Sequence, residues 1–180
     1  MKLYCTKHGE FMKLFYTKRG KNNQTDEANF LLEIAFHRCY TDNIPEIKKT
    51  PNGKPYFNTR SDIHFSLSHS KTHIICALSS SPVGVDIESE RSINERTKEF
   101  FCSPDELIHF TPLELWVLKE SYIKLFGTTI ADLKNLRFSK INDKIIAPDK
   151  TVKSHLLKID NCYAAISAYG DFIIDSIRKV

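Results

Sequence analysis

The stretch between Ser92 and Gly127 constrains the fold most, because it signals a helix start three times in succession. Ser92 with Glu95, Ser103-Pro104-Asp105-Glu106 and Thr111-Pro112-Leu113-Glu114 each set a hydroxyl three residues ahead of a glutamate. That spacing lets side chain and backbone satisfy two orphan N–H groups reciprocally. In the second and third, proline takes the first helical position, where its missing N–H costs nothing. The third helix is predicted to run to Phe126 and to stop at Gly127, a residue that readily adopts the left-handed conformation of helix ends. Leu115, Leu118, Tyr122 and Phe126 form its core stripe, and Trp116, Lys119, Glu120, Ile123 and Lys124 an adjacent one.

Around this block the pattern leans to strands. Residues 2–16 have room for one or two strands, and residues 18–24 read as a polar loop. Residues 26–40 repeat apolar positions at helical steps (Leu31, Ile34, Ala35; Leu32, Phe36, Cys39). Residues 41–62, with Pro45, Pro51-Asn52-Gly53 and Pro55, are mostly turn and extended chain. Short apolar segments at 65–67 and 74–78 precede a turn at 79–82 and a strand over 83–88. After Leu136, segments 137–141, 152–159, 163–168 and 172–177 suggest an antiparallel sheet. The expected class is α+β, in two halves, residues 1–82 and 83–180, joined near residues 79–85.

Composition narrows the partners. At 41% hydrophobic and 27% charged the chain is an ordinary globular one, and no apolar run approaches the ~20 residues of a membrane span. The N-terminus lacks the apolar centre of a signal peptide. The five cysteines (Cys5, Cys39, Cys76, Cys102, Cys162) are scattered, without a Cys-x-x-Cys pair. Cys39, Cys76 and Cys162 read as small core residues in a reducing, cytoplasmic setting. The net charge of +4 suits a polyanionic small molecule or an acidic protein and does not argue for nucleic acid. His8, His37, His64, His73, His109 and His155 show no metal spacing and read as surface or partly buried residues.

Some residues carry chemistry by position. In Asp86-Ile87-Glu88, strand alternation turns both carboxylates one way, with Val85 and Ile87 toward the core. Paired carboxylates repel unless a cation or basic groups neutralise them, and Mg²⁺ is a suitable hard cation; the plainer reading is a solvated strand end. Glu106 is a possible third carboxylate, although its capping box already explains it. Lys119, Glu120 and Lys124 present either an exposed ion pair or a base flanked by two charge clamps. Phe65-Ser66-Leu67-Ser68-His69-Ser70 clusters hydroxyls round a histidine, and Lys54 sits on a proline-stiffened loop.

Taken in order, Lys54-Pro55-Tyr56, Phe65-Ser66-Leu67-Ser68-His69-Ser70, Gly84-Val85-Asp86-Ile87-Glu88, residues 101–106 and Trp116-x-x-Lys119-Glu120-Ser121-x-x-Lys124 closely resemble the 4′-phosphopantetheinyl transferases. The likeness is to the longer, surfactin-synthetase-activating (Sfp) type, in which two similar α+β halves form a pseudo-dimer within a monomer. It implies transfer of the phosphopantetheine arm of coenzyme A to a serine of an acyl or peptidyl carrier protein, with Mg²⁺ as cofactor and release of 3′,5′-ADP. Carried over by position, Asp86, Glu88 and Glu106 would hold Mg²⁺, and Glu120 would be the base. Lys124 would offset charge on the diphosphate, with Lys119 as a neighbouring phosphate contact. Ser68 and His69 would bind the 3′-phosphate, and Lys54 the nucleotide end. One departure is Asn29, where the family usually carries an arginine. The rival readings are a Mg²⁺-dependent phosphodiesterase built on the three carboxylates, a binding protein for nucleic acid or an acidic protein using the basic residues 13–21, and a degenerate transferase that binds coenzyme A without turnover.

Overall fold

The computed structural model describes residues 10–21 and 23–180; Cys5, His8 and any strand in residues 2–9 lie outside them. Strand β1 (Glu10–Lys18) uses both faces, turning Met12 and Leu14 into one core and Phe15 into another. Helix α1 (Gln24–Cys39) starts earlier than its apolar periodicity suggests, because the Asn23 side chain accepts the Thr25 N–H at 2.9 Å. It buries Leu31, Leu32, Ala35 and Phe36. Strands β2 (Ile47–Lys49) and β3 (Pro55–Phe57) form a small antiparallel hairpin within the turn-rich segment. Strands β4 (His64–His69) and β5 (His73–Ser79) follow as expected, and their apolar residues Phe65, Ile74, Cys76 and Leu78 meet α1.

Strand β6 (Val83–Ser89) opens a second sheet. It is completed by β9 (Val152–Ile159) and β10 (Cys162–Tyr169) in the order β6-β10-β9. The two sheets bury Met12, Leu14, Ile75 and Ala77 against Val85, Ile87, Ala164 and Ile166. Helix α4 (Pro112–Phe126) covers the far face of the second sheet, placing Leu115, Leu118 and Tyr122 with Val152 and Ala165. The layers therefore run α1, sheet, sheet, α4, a mixed α+β architecture.

Local signals held where they were self-contained. The Ser103 and Thr111 capping boxes both form, opening α3 (Pro104–Leu107) and α4, and α4 ends at Gly127 with φ of 68°. The box expected at Ser92 does not form. Asn94 caps α2 (Glu95–Phe101) by accepting the Thr97 N–H at 2.9 Å, so Glu95 is the first helical residue and cannot reach back as the third. Phe126, expected in the core stripe, is 37% exposed and packs its ring against Tyr122 and Tyr169 at the helix end. A second hairpin, β7 (Ser139–Ile141) and β8 (Lys144–Ile146), turns on Asn142 and Asp143, both at positive φ. Only its first strand falls within a segment read as strand-forming.

Two findings correct the expected sheet and the histidines. Strand β11 (Phe172–Lys179) does not join the C-terminal antiparallel sheet. After the turn at Gly170 it pairs parallel with β1, Glu10 opposite Phe172, giving the first sheet the order β11-β1-β5-β4. Alternation specifies which face of a strand is apolar and leaves its partner open; here the intersheet core takes Phe172 and Ile174. His73 is buried, not superficial. Its ring bonds to Thr72 Oγ1 at 2.9 Å and Asp160 Oδ2 at 3.0 Å, with Cys162 Sγ 3.3 Å from Nδ1. This polar node fastens the β4–β5 turn to the β9–β10 turn.

Gly84 governs how closely α4 seats on β6. A Cβ there would stand 2.0 Å from the Ser121 carbonyl oxygen and 2.4 Å from the Leu125 nitrogen, both backbone atoms that cannot rotate away. Gly84→Ala is expected to lift the helix off the strand at a cost of about 3 kcal/mol. The melting temperature should fall by roughly 5 °C or more; a variant melting within a degree of the parent would refute this account of the close approach.

Candidate active site

The site forms where two sheet edges meet. Strand β6 is an edge of its sheet and β4 an edge of the other, and an open edge leaves backbone N–H groups without partners. Here Ser66 Oγ accepts the Val85 N–H at 3.0 Å and Ser68 Oγ the Ile87 N–H at 3.4 Å. The two hydroxyls on β4 recur at the same two-residue period as the two amides on β6, so side chains take the place of a ladder. Val85 and Ile87 face the intersheet core as expected. The opposite face of β6 is not solvent: it lies under α4, and Asp86 is 5% exposed.

Asp86 meets Ser68 and Lys124 there. Its Oδ1 accepts from Ser68 Oγ and from Lys124 Nζ, both at 2.7 Å, and Lys124 Nζ also donates to Ser68 Oγ at 2.8 Å. Its other oxygen, Oδ2, is buried and has no hydrogen-bond donor. Glu120 lies one helical turn before Lys124, on the same face of α4. Burial, reinforced by the Asp86 and Glu88 carboxylates and only partly relieved by Lys124, pushes Glu120 up to about 7. Glu88 is half-buried, with Arg91 3.4 Å from one of its oxygens.

The structure does not bring Glu106 into this group. Glu106 is 1% exposed and fully engaged: Ser103 N–H and Oγ donate to Oε2 at 3.0 and 2.9 Å, Phe138 N–H donates to Oε1 at 2.9 Å, and Lys119 lies 2.9 Å away. Lys119, expected as a phosphate contact, has no exposed surface. It spends its three N–H donors on Glu106, Phe101 O and Leu136 O. Burial tends to raise Glu106, but the Phe138 N–H and the Lys119 ammonium outweigh it and hold the carboxyl below its ordinary value. Residues adjacent on a helix point about 100° apart, so Lys119 and Glu120 serve different places. That geometry was available in the Lys119-Glu120 pair itself.

The remaining residues divide. Lys54 donates to Leu125 O, at the C-terminal end of α4, and to Val83 O at 3.3 Å. Burial brings its ammonium down to about 8. The lysine stem walls a cavity of about 250 Å³ shared with Pro55, Ser66, Ile123, Lys124 and Thr128. Ser68 is buried, whereas His69, the next residue along β4, is exposed. Asn29 is exposed on α1.

Among the described residues no three histidine, cysteine or acidic side chains stand close enough to close on one ion. The chemistry of the Asp86 group nevertheless fits a hard cation: an orphaned buried carboxylate oxygen and a surplus of negative charge that lifts Glu120. Asp86 and Glu88 are the carboxylates that would meet Mg²⁺ there; Glu106 has no free oxygen to offer. A carboxylate poised near neutrality can accept a proton from a hydroxyl, and the neighbouring Lys124 can offset charge on a phosphate.

Residues 82–170 match the family described as the 4′-phosphopantetheinyl transferase superfamily. The chain is 38% identical over 99 residues to the 4′-phosphopantetheinyl transferase gsp of Aneurinibacillus migulanus, covering 47% of this chain and 41% of that protein. It is 38% identical over 131 residues to the 4′-phosphopantetheinyl transferase Sfp of Bacillus subtilis (strain 168), covering 66% and 58%. To HetI of Nostoc sp. it is 29% identical over 137 residues, again covering 66% and 58%. The chain thus spans about half the length of the curated relatives it matches.

The Glu106–Lys119 pair makes its own prediction. Lys119→Met strands a buried carboxylate and is expected to cost about 3–5 kcal/mol, while the Glu106→Gln, Lys119→Met double variant recovers much of the loss. Because Glu106 titrates below its ordinary value of 4.5 when folded, its contribution is complete above that value and fades as pH falls toward the folded one. Denaturant unfolding should therefore show Glu106→Gln less stable than the parent at pH 7, with the gap closing below about pH 4. A gap that stays constant with pH would show that the carboxylate is not charged in the fold.

Proposed function

Because the chain belongs to the 4′-phosphopantetheinyl transferase superfamily, we propose that it transfers the phosphopantetheine arm of coenzyme A to a serine of an acyl or peptidyl carrier protein, releasing 3′,5′-ADP. The observation that carries this reading is the Asp86 group. A carboxylate held on one oxygen by Ser68 and Lys124 and orphaned on the other lies near enough to Glu120 to act on its charge, and Lys124 links this group to the adjoining cavity. Asp86 and Glu88 would hold Mg²⁺, without Glu106, whose oxygens are already taken by Ser103, Phe138 and Lys119. Bound there, the ion would polarise a phosphoryl oxygen of the diphosphate and offset the charge that builds in the displacement.

The chain's own residues divide the remaining work. Glu120 takes the proton of the incoming serine, directly or through water. Lys124, 30% exposed at its side chain, offsets charge on the diphosphate and on the departing 3′,5′-ADP. His69, exposed beside the site, is the candidate contact for the 3′-phosphate. Lys54 contributes through the stem that walls the cavity, since its ammonium is tied to Leu125 O and Val83 O. The net charge of +4 favours encounter with the acidic face of a carrier protein.

The same reading includes a pseudo-twofold arrangement of halves 1–82 and 83–180 within a monomer. It is supported by the sheet orders: in β1-β5-β4 and β6-β10-β9 the first strand of each half stands in the same place relative to a later antiparallel pair, β11 excepted, which leaves its half to pair with β1. Each half also carries a helix on the outer face and a small hairpin before its antiparallel pair, β4–β5 or β9–β10. Cys76 and Cys162, buried and unpaired, support a reducing, cytoplasmic setting. No helix among the described residues is long and apolar enough to cross a membrane.

The test is the intact mass of an apo carrier protein after incubation with this protein, coenzyme A and Mg²⁺. The expected result is a gain of one phosphopantetheine arm that disappears with chelator. Glu120→Gln should abolish the gain while retaining coenzyme A binding, since the base acts in the chemical step. No gain on acyl and peptidyl carriers, with coenzyme A bound, would overturn the assignment.

A further inference from the structure

We infer that Ser167 is the positioning residue that sets the rotation of α4 about its own axis, and with it the aim of Lys124; its bearing on catalysis rests on the transferase reading, its geometry on the fold alone. Gly84, Ser167 and Ser154 stand opposite one another across β6, β10 and β9, and Ser121 of α4 sits over this row. The helix backbone meets Gly84, where a Cβ would come 2.0 Å from the Ser121 carbonyl oxygen. The Ser121 hydroxyl meets that of Ser167 at 2.9 Å, and Ser167 meets Ser154 at 2.8 Å. Ser121 and Ser167 have no exposed surface, and Ser154 is 5% exposed.

The protons of this row have one arrangement. Ser121 Oγ donates to Leu118 O at 2.8 Å. A hydroxyl has a single proton to give, so Ser167 donates to Ser121 and Ser154 donates to Ser167. Ser167 is thus the link that both gives and takes, tying the helix to two strands. Contact with Gly84 fixes how deep the helix lies, but a backbone resting on a glycine can still turn. The short Ser121–Ser167 bond resists that turn. Lys119 braces the same helix, through a flexible four-carbon stem that follows a small rotation. Lys124 donates to Asp86 Oδ1 at 2.7 Å and to Ser68 Oγ at 2.8 Å. At a helix's outer radius of about 6 Å, a turn of about 10° moves a side chain by about 1 Å, which carries bonds of that length out of hydrogen-bonding range.

Acetylation by acetic anhydride, followed residue by residue by mass spectrometry on the full chain, reads the aim of Lys124 without substrate or metal. Lys119, wholly buried on the same helix, is the internal control for opening of the fold. Ser167→Ala is expected to raise the acetylation rate of Lys124 about fivefold, the weight of one hydrogen bond, and to leave Lys119 protected. Transfer to a carrier protein should fall about tenfold or more, since small errors of placement are costly to turnover. Ser167→Ala also strands the Ser154 proton. The triple variant Ser121→Ala, Ser154→Ala, Ser167→Ala strands nothing and should melt near the parent, yet keep the reactive Lys124 and the slow transfer.

Lys124 acetylated at the parental rate in both variants would overturn the assignment. Equal gains at Lys119 and Lys124 would overturn it too, by showing a loosened helix rather than a turned one. So would a triple variant that recovers parental Lys124 reactivity together with its melting temperature, because the stranded proton alone would then be at work. If the parent transfers nothing to any carrier while Ser167→Ala still frees Lys124 selectively, the transferase reading fails and the positioning role stands.

Discussion

The seam between β4 and β6 is the contact on which the rest depends. Two sheets with open edges side by side would each leave amides unpaired, and the chain closes the gap with the hydroxyls of Ser66 and Ser68 in place of another strand. Because a hydroxyl can donate as well as accept, the same residue that completes the edge reaches through to Asp86. Structural closure and site geometry thus share one atom, Ser68 Oγ. The seam also joins the two sheets, so a carboxylate on β6 is held by a serine on β4.

Charge placement on α4 shows how burial sorts similar residues into different work. Lys119 and Glu120 are neighbours in sequence and opposite in destination. The lysine is swallowed by the carbonyls of Phe101 and Leu136 and by Glu106, an internal brace for α3 and the segment before β7. The glutamate turns away from that brace, where burial, helped by two carboxylates, lifts it to about 7. The brace keeps α4 at a fixed depth, and Gly84 lets that depth be small; Lys124 then meets Asp86 without reaching.

Much of this was legible locally. The capping boxes at Ser103 and Thr111, the stop at Gly127, the strand at Asp86 and the presence of a base and a clamp on one helix all depend on residues within a turn or two of each other. What escaped was long-range. Asn94 outcompeted Ser92 because a cap is settled by which residue first leaves the helix, a matter of where Phe101 must be buried. Glu106 read as a third metal carboxylate because nothing in its own segment reveals Lys119 and Phe138 closing on it.

The parallel pairing of β11 with β1 carries a temporal consequence. Glu10 is opposite Phe172, so the first sheet acquires its outermost strand only when almost the whole chain described here is available. During synthesis the early strands β1, β4 and β5 can associate with α1, but the flank of β1 stays bare until β11 arrives. Contacts so distant in sequence are entropically expensive to close and slow to form. Until that moment a nascent chain is an open-edged intermediate, exposed to mispairing. Completion of β11 is then the event that converts a tethered assembly of parts into a committed native state.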